Sequence, residues 1–179
     1  HNDHVAGIDD IRPFNFRQGE LAFYAEKRVF EALKQRFSYV FETVNKYPGA
    51  PTIKEVEISK EHSFELGGKI VIPVEAMHAN LPVLGFRIDD FAYMTDVKTI
   101  DDTEKQKLKG LKVLVINALR EKHHESHLNI KEALELIEEL QPETTYFTHI
   151  SHLMGFHEEV EAKLPKHVHL AYDTLKITV

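Results

Sequence analysis

The sequence predicts a layered α/β fold built around a large sheet. Two observations carry this prediction. The middle of the chain has apolar runs bounded by turn residues, which is typical of strands, and the last third alternates short apolar strands with amphipathic helical segments. The 179 residues contain no repeat, low-complexity tract or linker rich in proline and serine. We therefore expect a single domain over residues 1–179.

The individual elements follow from the spacing of apolar residues along the chain. The predicted strands are 21–25, 53–59, 69–78, 82–88, 90–95, 113–117, 144–148, 168–172 and 175–179. The predicted helices are 26–37, 130–140 and 156–163. Asn129, with Glu132 three positions later, predicts a capping box at the start of helix 130–140. Gly67 and Gly68 predict a turn, and the charged run 98–112 reads as a solvated connection.

Composition excludes several kinds of chemistry. The chain has no cysteine, so disulfides, thiolate metal ligands and a cysteine nucleophile are excluded within it. No apolar run approaches the roughly 20 residues of a membrane-spanning helix, and we expect a cytoplasmic protein with no membrane partner. The net charge of −7 argues against a broad nucleic-acid-binding surface. Any bound metal must be held by nitrogen and oxygen atoms, which suit Zn, Mn and Fe.

Histidines and aspartates stand at the ends of three predicted strands. His78 ends strand 69–78, Asp96 follows strand 90–95, and His149 follows strand 144–148. Each residue alone is more often a turn residue or a hydrogen-bonded core residue than a ligand. Together they predict a metal site along one edge of the sheet.

The first four residues form a second cluster. His1, Asp3 and His4 can hold a metal if a turn directs their side chains to one point. A frayed, histidine-rich chain end is an equally good interpretation of these residues alone.

These motifs resemble those of the metallo-β-lactamase-fold hydrolases over essentially the whole chain. The family's first motif reads Thr-His-x-His-x-Asp-His, which His1, Asp3 and His4 match in part. The segments HANLPVLGFRI, AYMTD and THIS are similar to ligand motifs of the branch that contains phosphoribosyl cyclic phosphate phosphodiesterases. The resemblance implies an αββα sandwich. It also implies that the N-terminal portion of the fold, which carries the first metal histidine, is missing here. The fragment itself could then be inactive.

The resemblance also implies a ligand set and a mechanism. The metal ligands would be His1, Asp3, His4, His78, Asp96 and His149, with Asp96 bridging two divalent ions (Zn or Mn, or else Fe). Two such ions can activate a shared water and clamp a phosphoryl group. We assign Asp3 a catalytic role as well. His127 precedes a helix N-terminus, where anions bind, and is the predicted general acid.

The predicted function is that of a binuclear metal-dependent phosphodiesterase acting on a small phosphodiester, linear or cyclic. Two alternatives stay open: hydrolysis of thioesters or lactones by the same fold, and a metal-free interaction domain without catalysis. Nucleic acid is a disfavoured substrate, and a homodimer is possible. The sequence leaves open the roles of His124, His152, Arg12 and Asp173.

Overall fold

The computed structural model describes residues 1–179 as an α/β chain with two compact units, His1–Ser59 and Lys60–Val179. The α/β fold class is confirmed. The predicted single domain and the predicted absence of an N-terminal portion both stay predictions. No helix is long and apolar enough to cross a membrane.

The first unit begins with short helices. Its elements in chain order are α1 (Asn2–Val5), a 3-10 helix (Ala6–Ile11), α2 (Arg12–Gln18), β1 (Leu21–Ala25), α3 (Lys27–Arg36), α4 (Ser38–Phe41) and β2 (Ile53–Glu57). Strands β1 and β2 pair in parallel. Phe30 and Leu33 of α3 are buried, because they lie three residues apart on one helix face.

The second unit holds a seven-stranded sheet. Its elements are β3 (Phe64–Leu66), β4 (Lys69–His78), β5 (Leu81–Ile88), β6 (Phe91–Met94), α5 (Asp102–Gln106), β7 (Val113–Asn117), α6 (Ile130–Leu140), β8 (Thr144–Thr148), α7 (His157–Glu161) and β9 (Val168–Leu170). The strand order is β3-β4-β5-β6-β7-β8-β9. Leu114 and Ile116 of β7, Phe147 of β8 and Met94 of β6 lie in its core, each at most 1% exposed.

The direction of the strands decides where their ends meet. Strands β6, β7 and β8 are mutually parallel, so their carboxyl ends share one edge of the sheet. Strand β5 is antiparallel to both β4 and β6, which returns β4 to the direction of β6. The carboxyl end of β4, at His78, therefore lies on the same edge as those of β6 and β8.

Two sequence-based predictions of elements were wrong, and several short elements were missed. Residues 98–112 include helix α5, and Ile100, Glu104, Leu108 and Leu111 are buried, because these four side chains pack inward among the charged residues. Residues 175–179 form no strand, since they pair with no neighbour. Strand β3 was missed because three residues are too few to show a period of two.

Candidate metal centre

Three predicted ligands stand at the common edge of the seven-stranded sheet. His78 is the last residue of β4, Asp96 lies two residues beyond β6, and His149 directly follows β8. Asp96 and His149 both have a positive φ, at 58° and 54°. A non-glycine residue in this conformation costs about 1–3 kcal/mol and is enriched at functional sites.

The carboxylate of Asp96 is the centre of the cluster. Its Oδ1 lies 3.1 Å from His149 Nε2 and 3.1 Å from His127 Nε2. Ligand atoms of His78, Asp96 and His127 all lie within 4.8 Å of one another. The His127 ring stacks on that of His149 at 4.8 Å and meets the His78 ring edge-on at 4.4 Å. Three imidazoles thus surround one carboxylate that is 6% exposed.

His127 is held by the segment that leads into α6. The predicted capping box is confirmed: Glu132 N–H donates to the Asn129 side chain, and Asn129 N–H donates to the Glu132 carboxylate. Leu128 N–H donates to the Val97 carbonyl at 2.8 Å, which ties this segment to the loop that carries Asp96. Lys98 contacts both carboxylate oxygens of Glu132 at 2.9 Å.

The second ring nitrogen of His127 faces a small polar group. Nδ1 lies 3.1 Å from Ser126 Oγ and 3.3 Å from His124 Nδ1. Burial lowers the pKa of His127, the neighbouring His78 and His149 lower it further, and the contact with Asp96 opposes them. Burial also lowers the pKa of His124, with Arg120 adding to the effect.

The first motif lies in the other unit of the chain. His1 precedes α1, and Asp3 and His4 are exposed residues of that helix. His4 Nε2 lies 3.4 Å from Asp3 Oδ2. The sequence analysis required a turn here, but the residues form helix α1. In this helix the side chains of Asp3 and His4 lie next to each other. The role of His1, Asp3 and His4 as ligands, and of Asp3 in catalysis, stays a prediction.

The residues left open by the sequence occupy different surroundings. His124 belongs to the polar group beside His127. Arg12 donates to the Asp9 backbone carbonyl at 3.1 Å and pairs with the Asp9 carboxylate at 3.5 Å, which is a structural role. His152 is exposed in the turn after His149, and Asp173 is exposed in the C-terminal segment.

Sequence reasoning missed two residues that support the cluster. Asn117 ends β7, is fully buried and contacts the backbone next to Asp96. Lys98 lies in the run that was read as solvated, yet its side chain is 16% exposed. A polar residue closing an apolar strand such as VLVIN was the available signal for Asn117.

The donor set fits a divalent metal ion. Imidazole nitrogen and carboxylate oxygen are the atoms that Zn, Mn and Fe accept. Two ligands of one tetrahedral zinc ion lie about 3.3 Å apart when each bond is about 2.0–2.1 Å. The separations of 3.1 Å around Asp96 Oδ1 are close to that value. Asp96 Oδ1 and His149 Nε2 are therefore spaced like two ligands of one ion, as are Asp96 Oδ1 and His127 Nε2. The ligand roles of His78, Asp96 and His149 stay predictions.

A cluster of histidines with a carboxylate at one edge of a mixed sheet is the kind of site found in α/β metalloproteins, and comparison with known proteins gives the family of this chain. Residues 1–150 match the family model described as a beta-lactamase superfamily domain. The chain belongs to the metallo-β-lactamase-fold hydrolases, a fold that implies divalent metal binding.

Two relatives are similar over the whole chain. An octanoyltransferase of Porphyromonas gingivalis (strain ATCC BAA-308 / W83) is 38% identical over 100% of this chain and 36% of its own length. A solved structure of a new diphosphatase from the PhnP family is 34% identical, with a TM-score of 0.89, over 99% of this chain and 66% of that one. The chain thus spans about a third of the curated relative and less than two thirds of the solved one.

A third structure supports the fold alone. The metallo-beta-lactamase fold protein YhfI of Bacillus subtilis is 18% identical, with a TM-score of 0.71, over 96% of this chain and 70% of that one. The agreement places this chain in the same architecture at low sequence identity.

Proposed function

We propose that this chain forms part of a metal-dependent phosphodiesterase that hydrolyses a small phosphodiester, linear or cyclic. The observation that carries the proposal is the position of Asp96 Oδ1, at 3.1 Å from both His127 Nε2 and His149 Nε2. The similarity to a PhnP-family diphosphatase at 34% identity supports chemistry at phosphorus. The net charge of −7 favours a small substrate over a nucleic acid.

His78, Asp96 and His149 would hold metal in this proposal, with His1, Asp3 and His4 completing a centre for two ions of Zn, Mn or Fe. When bound, such ions lower the pKa of water and neutralise charge on phosphoryl oxygens. Asp96 would serve both ions, because its carboxylate lies at the centre of the cluster, with Oδ1 at 3.1 Å from His149 Nε2. The chain's own residues would then hold and orient the ligand atoms.

His127 would supply a proton to the leaving oxygen. Its Nε2 points toward the cluster at Asp96, so Nε2 is the atom that would deliver the proton. The displaced alkoxide would leave as an alcohol, while water adds to phosphorus. Ser126 and His124, at Nδ1, would keep the ring in one orientation.

The test is hydrolysis of bis(p-nitrophenyl) phosphate by the full-length protein before and after metal removal. We expect chelator-treated protein to be inactive and Zn or Mn to restore turnover. Asp96→Asn should lose both bound metal and turnover, because a neutral amide is a poor bridging ligand. His167→Ala is the matched control, since His167 is an exposed histidine away from the cluster. Bound metal without phosphodiester turnover would contradict the proposal.

A second candidate function is hydrolysis of an acyl bond. It is favoured by the name of the curated relative, an octanoyltransferase, although this chain spans only 36% of that protein. Transfer through a cysteine thioester is excluded within this chain, because it has no cysteine. Assaying p-nitrophenyl octanoate beside the phosphodiester separates the two functions: faster metal-dependent cleavage of the ester would favour the second.

A further inference from the structure

Asn117 is a fully buried amide at the end of a strand of apolar residues. It closes β7, where it is 0% exposed, and it lies opposite Thr148 of β8 in the parallel register. Burying an amide without hydrogen bonds is unfavourable, because its polar atoms lose their contacts with water. The contacts that Asn117 makes are therefore what keeps this side chain in the core.

Both polar atoms of Asn117 are used on a single residue. Val97 N–H donates to Asn117 Oδ1 at 2.6 Å, and Asn117 Nδ2 donates to the Val97 carbonyl at 3.0 Å. Val97 is itself 0% exposed. The carboxamide thus replaces a backbone partner for both the N–H and the C=O of the residue that follows Asp96.

The Val97 carbonyl also links this contact to His127. It accepts a second hydrogen bond from Leu128 N–H at 2.8 Å, and Leu128 directly follows His127. The next residue after Asn117, Ala118, donates to the Thr148 carbonyl at 3.2 Å, just before His149. The segments that carry Asp96, His127 and His149 therefore meet around the end of β7.

Asp96 needs such support because of its backbone. Its φ of 58° is in the left-handed region, which residues other than glycine adopt only with strain that the surrounding structure must offset. Fixing both polar groups of the next residue fixes the direction in which the chain leaves this turn. That direction sets where Asp96 Oδ1 points.

We propose that Asn117 is a positioning residue that holds Asp96 in its left-handed turn and aligns it with His127 and His149. The proposal rests on the proposed function for its catalytic consequence, but its geometric part stands on the contacts of Asn117 alone. Asn117 is too far inside the core to touch substrate, since it is 0% exposed. It would act through Asp96.

The test compares two substitutions in the full-length protein. Asn117→Leu keeps the branched shape, with a larger volume, and removes both hydrogen bonds. Asn117→Ser is smaller and supplies at most one of them. Thr145→Val is the matched control: Thr145 lies in the adjacent strand β8, is equally buried and has an Oγ1 without a hydrogen-bond partner. The measurements are urea unfolding, Zn and Mn affinity by titration calorimetry, kcat and KM for the phosphodiester, and a metal-free crystal structure.

We expect Asn117→Leu to bind metal about 10–100-fold more weakly, as when a group that orients a ligand is removed. Its kcat should fall while KM changes little, and Asn117→Ser should lie between it and the wild type. Thr145→Val should keep the wild-type affinity. In the metal-free structure of Asn117→Leu, the φ of Asp96 and the distance from Asp96 Oδ1 to His149 Nε2 should change.

Several results would overturn the proposal. Wild-type metal affinity and an unchanged Asp96 in folded Asn117→Leu would do so, as would an equal loss of affinity in Thr145→Val. If Asn117→Leu does not fold, the same comparison is made with Asn117→Ser, and unchanged affinity there overturns the proposal. A wild type that hydrolyses no phosphodiester refutes the proposed function only, because the position of Asp96 is measured without turnover.

Discussion

Asp96 and His127 form the contact on which the chemistry of the centre depends. The two side chains are nearly buried, at 8% and 12% exposed, and lie 3.1 Å apart. In this position His127 Nε2 can act as an acid or take a place among the metal ligands. A substitution that removes the imidazole distinguishes these roles.

We predict that His127→Ala keeps its bound metal and loses activity according to the leaving group. A general acid contributes about 10²–10⁴-fold to rate, and mainly where the leaving oxygen is strongly basic. The loss in kcat should therefore be large for a cyclic phosphodiester with an alkoxide leaving group and much smaller for bis(p-nitrophenyl) phosphate. Metal content by elemental analysis accompanies both assays.

His167→Ala serves as the control for this prediction, because it removes an exposed histidine outside the cluster. Loss of metal from His127→Ala would show that His127 is a ligand. An equal loss of rate on both substrates would show that it does not protonate the leaving group.

At the scale of elements, helix α6 begins at Ile130, three residues after the candidate acid His127. Glu132 of α6 caps the helix and also pairs with Lys98 and His123. Burial raises the pKa of the Glu132 carboxyl, but hydrogen bonds from Lys98, the Asn129 N–H and His123 outweigh it and hold the pKa below its ordinary value. The helix start is therefore stabilised by a charge.

We predict that Glu132→Gln lowers the free energy of unfolding at pH 7 and that the difference from wild type shrinks in acid. A carboxyl with a lowered pKa stabilises the fold above the ordinary glutamic-acid pKa of about 4.3. That stabilisation is lost as the pH falls through the lower pKa of the folded state. Urea unfolding at several pH values measures the difference.

Glutamine keeps the capping geometry, so this change isolates the charge. The control is Asn129→Ala, which removes the cap and should cost about 1 kcal/mol with much less dependence on pH. A difference between wild type and Glu132→Gln that grows on acidification would contradict the prediction.

A second prediction at the scale of elements concerns the close approach of β5 to β6 at Gly85. A Cβ added at Gly85 would collide with the Met94 sulfur and lie 2.8 Å from the Tyr93 carbonyl oxygen. Gly85→Ala should destabilise the protein by about 1–3 kcal/mol, as overpacking does. Urea unfolding is the measurement.

Gly7→Ala is the control for Gly85→Ala. Its added Cβ would meet only Asp10 Oδ2, at an ordinary 3.6 Å. An unchanged unfolding midpoint in Gly85→Ala would mean that β6 shifts freely, and with it the turn at Asp96.

At the scale of the whole molecule, metal binding and stability are linked. An ion that binds only the folded state stabilises it by about 2.7 kcal/mol at 100 times its dissociation constant. For a domain of this size, each kcal/mol corresponds to about 2–4 °C in Tm. We predict that chelation lowers Tm and that Zn or Mn restores it.

Differential scanning calorimetry of the full-length protein checks this prediction. Asp96→Asn is the control, and its Tm should respond little to added metal. The removal of metal by the chelator is verified by elemental analysis. If the Tm of the metal-free wild type equals that of the metal-bound protein, the cluster does not hold an ion tightly.

Much of the second unit followed from sequence pattern. Strands β4, β7 and β8 and helix α6 have the predicted bounds, because their apolar spacing is regular and their ends carry turn or capping residues. The prediction that 98–112 is a solvated connection failed because abundant charge hides four inward-facing residues. The pattern of polar and apolar residues indicates the average exposure of a segment, but not the direction in which each side chain points.

The sequence by itself determined the types of the candidate ligands, their places at strand ends and the absence of any thiol chemistry within the chain. Only the tertiary structure decided that His127 contacts Asp96 across 31 positions of sequence and that Asn117 holds the backbone beside it. The physical reason is that strand ends are local features, marked by composition. Contacts between them depend on the order and direction of strands in the sheet, which no local pattern records.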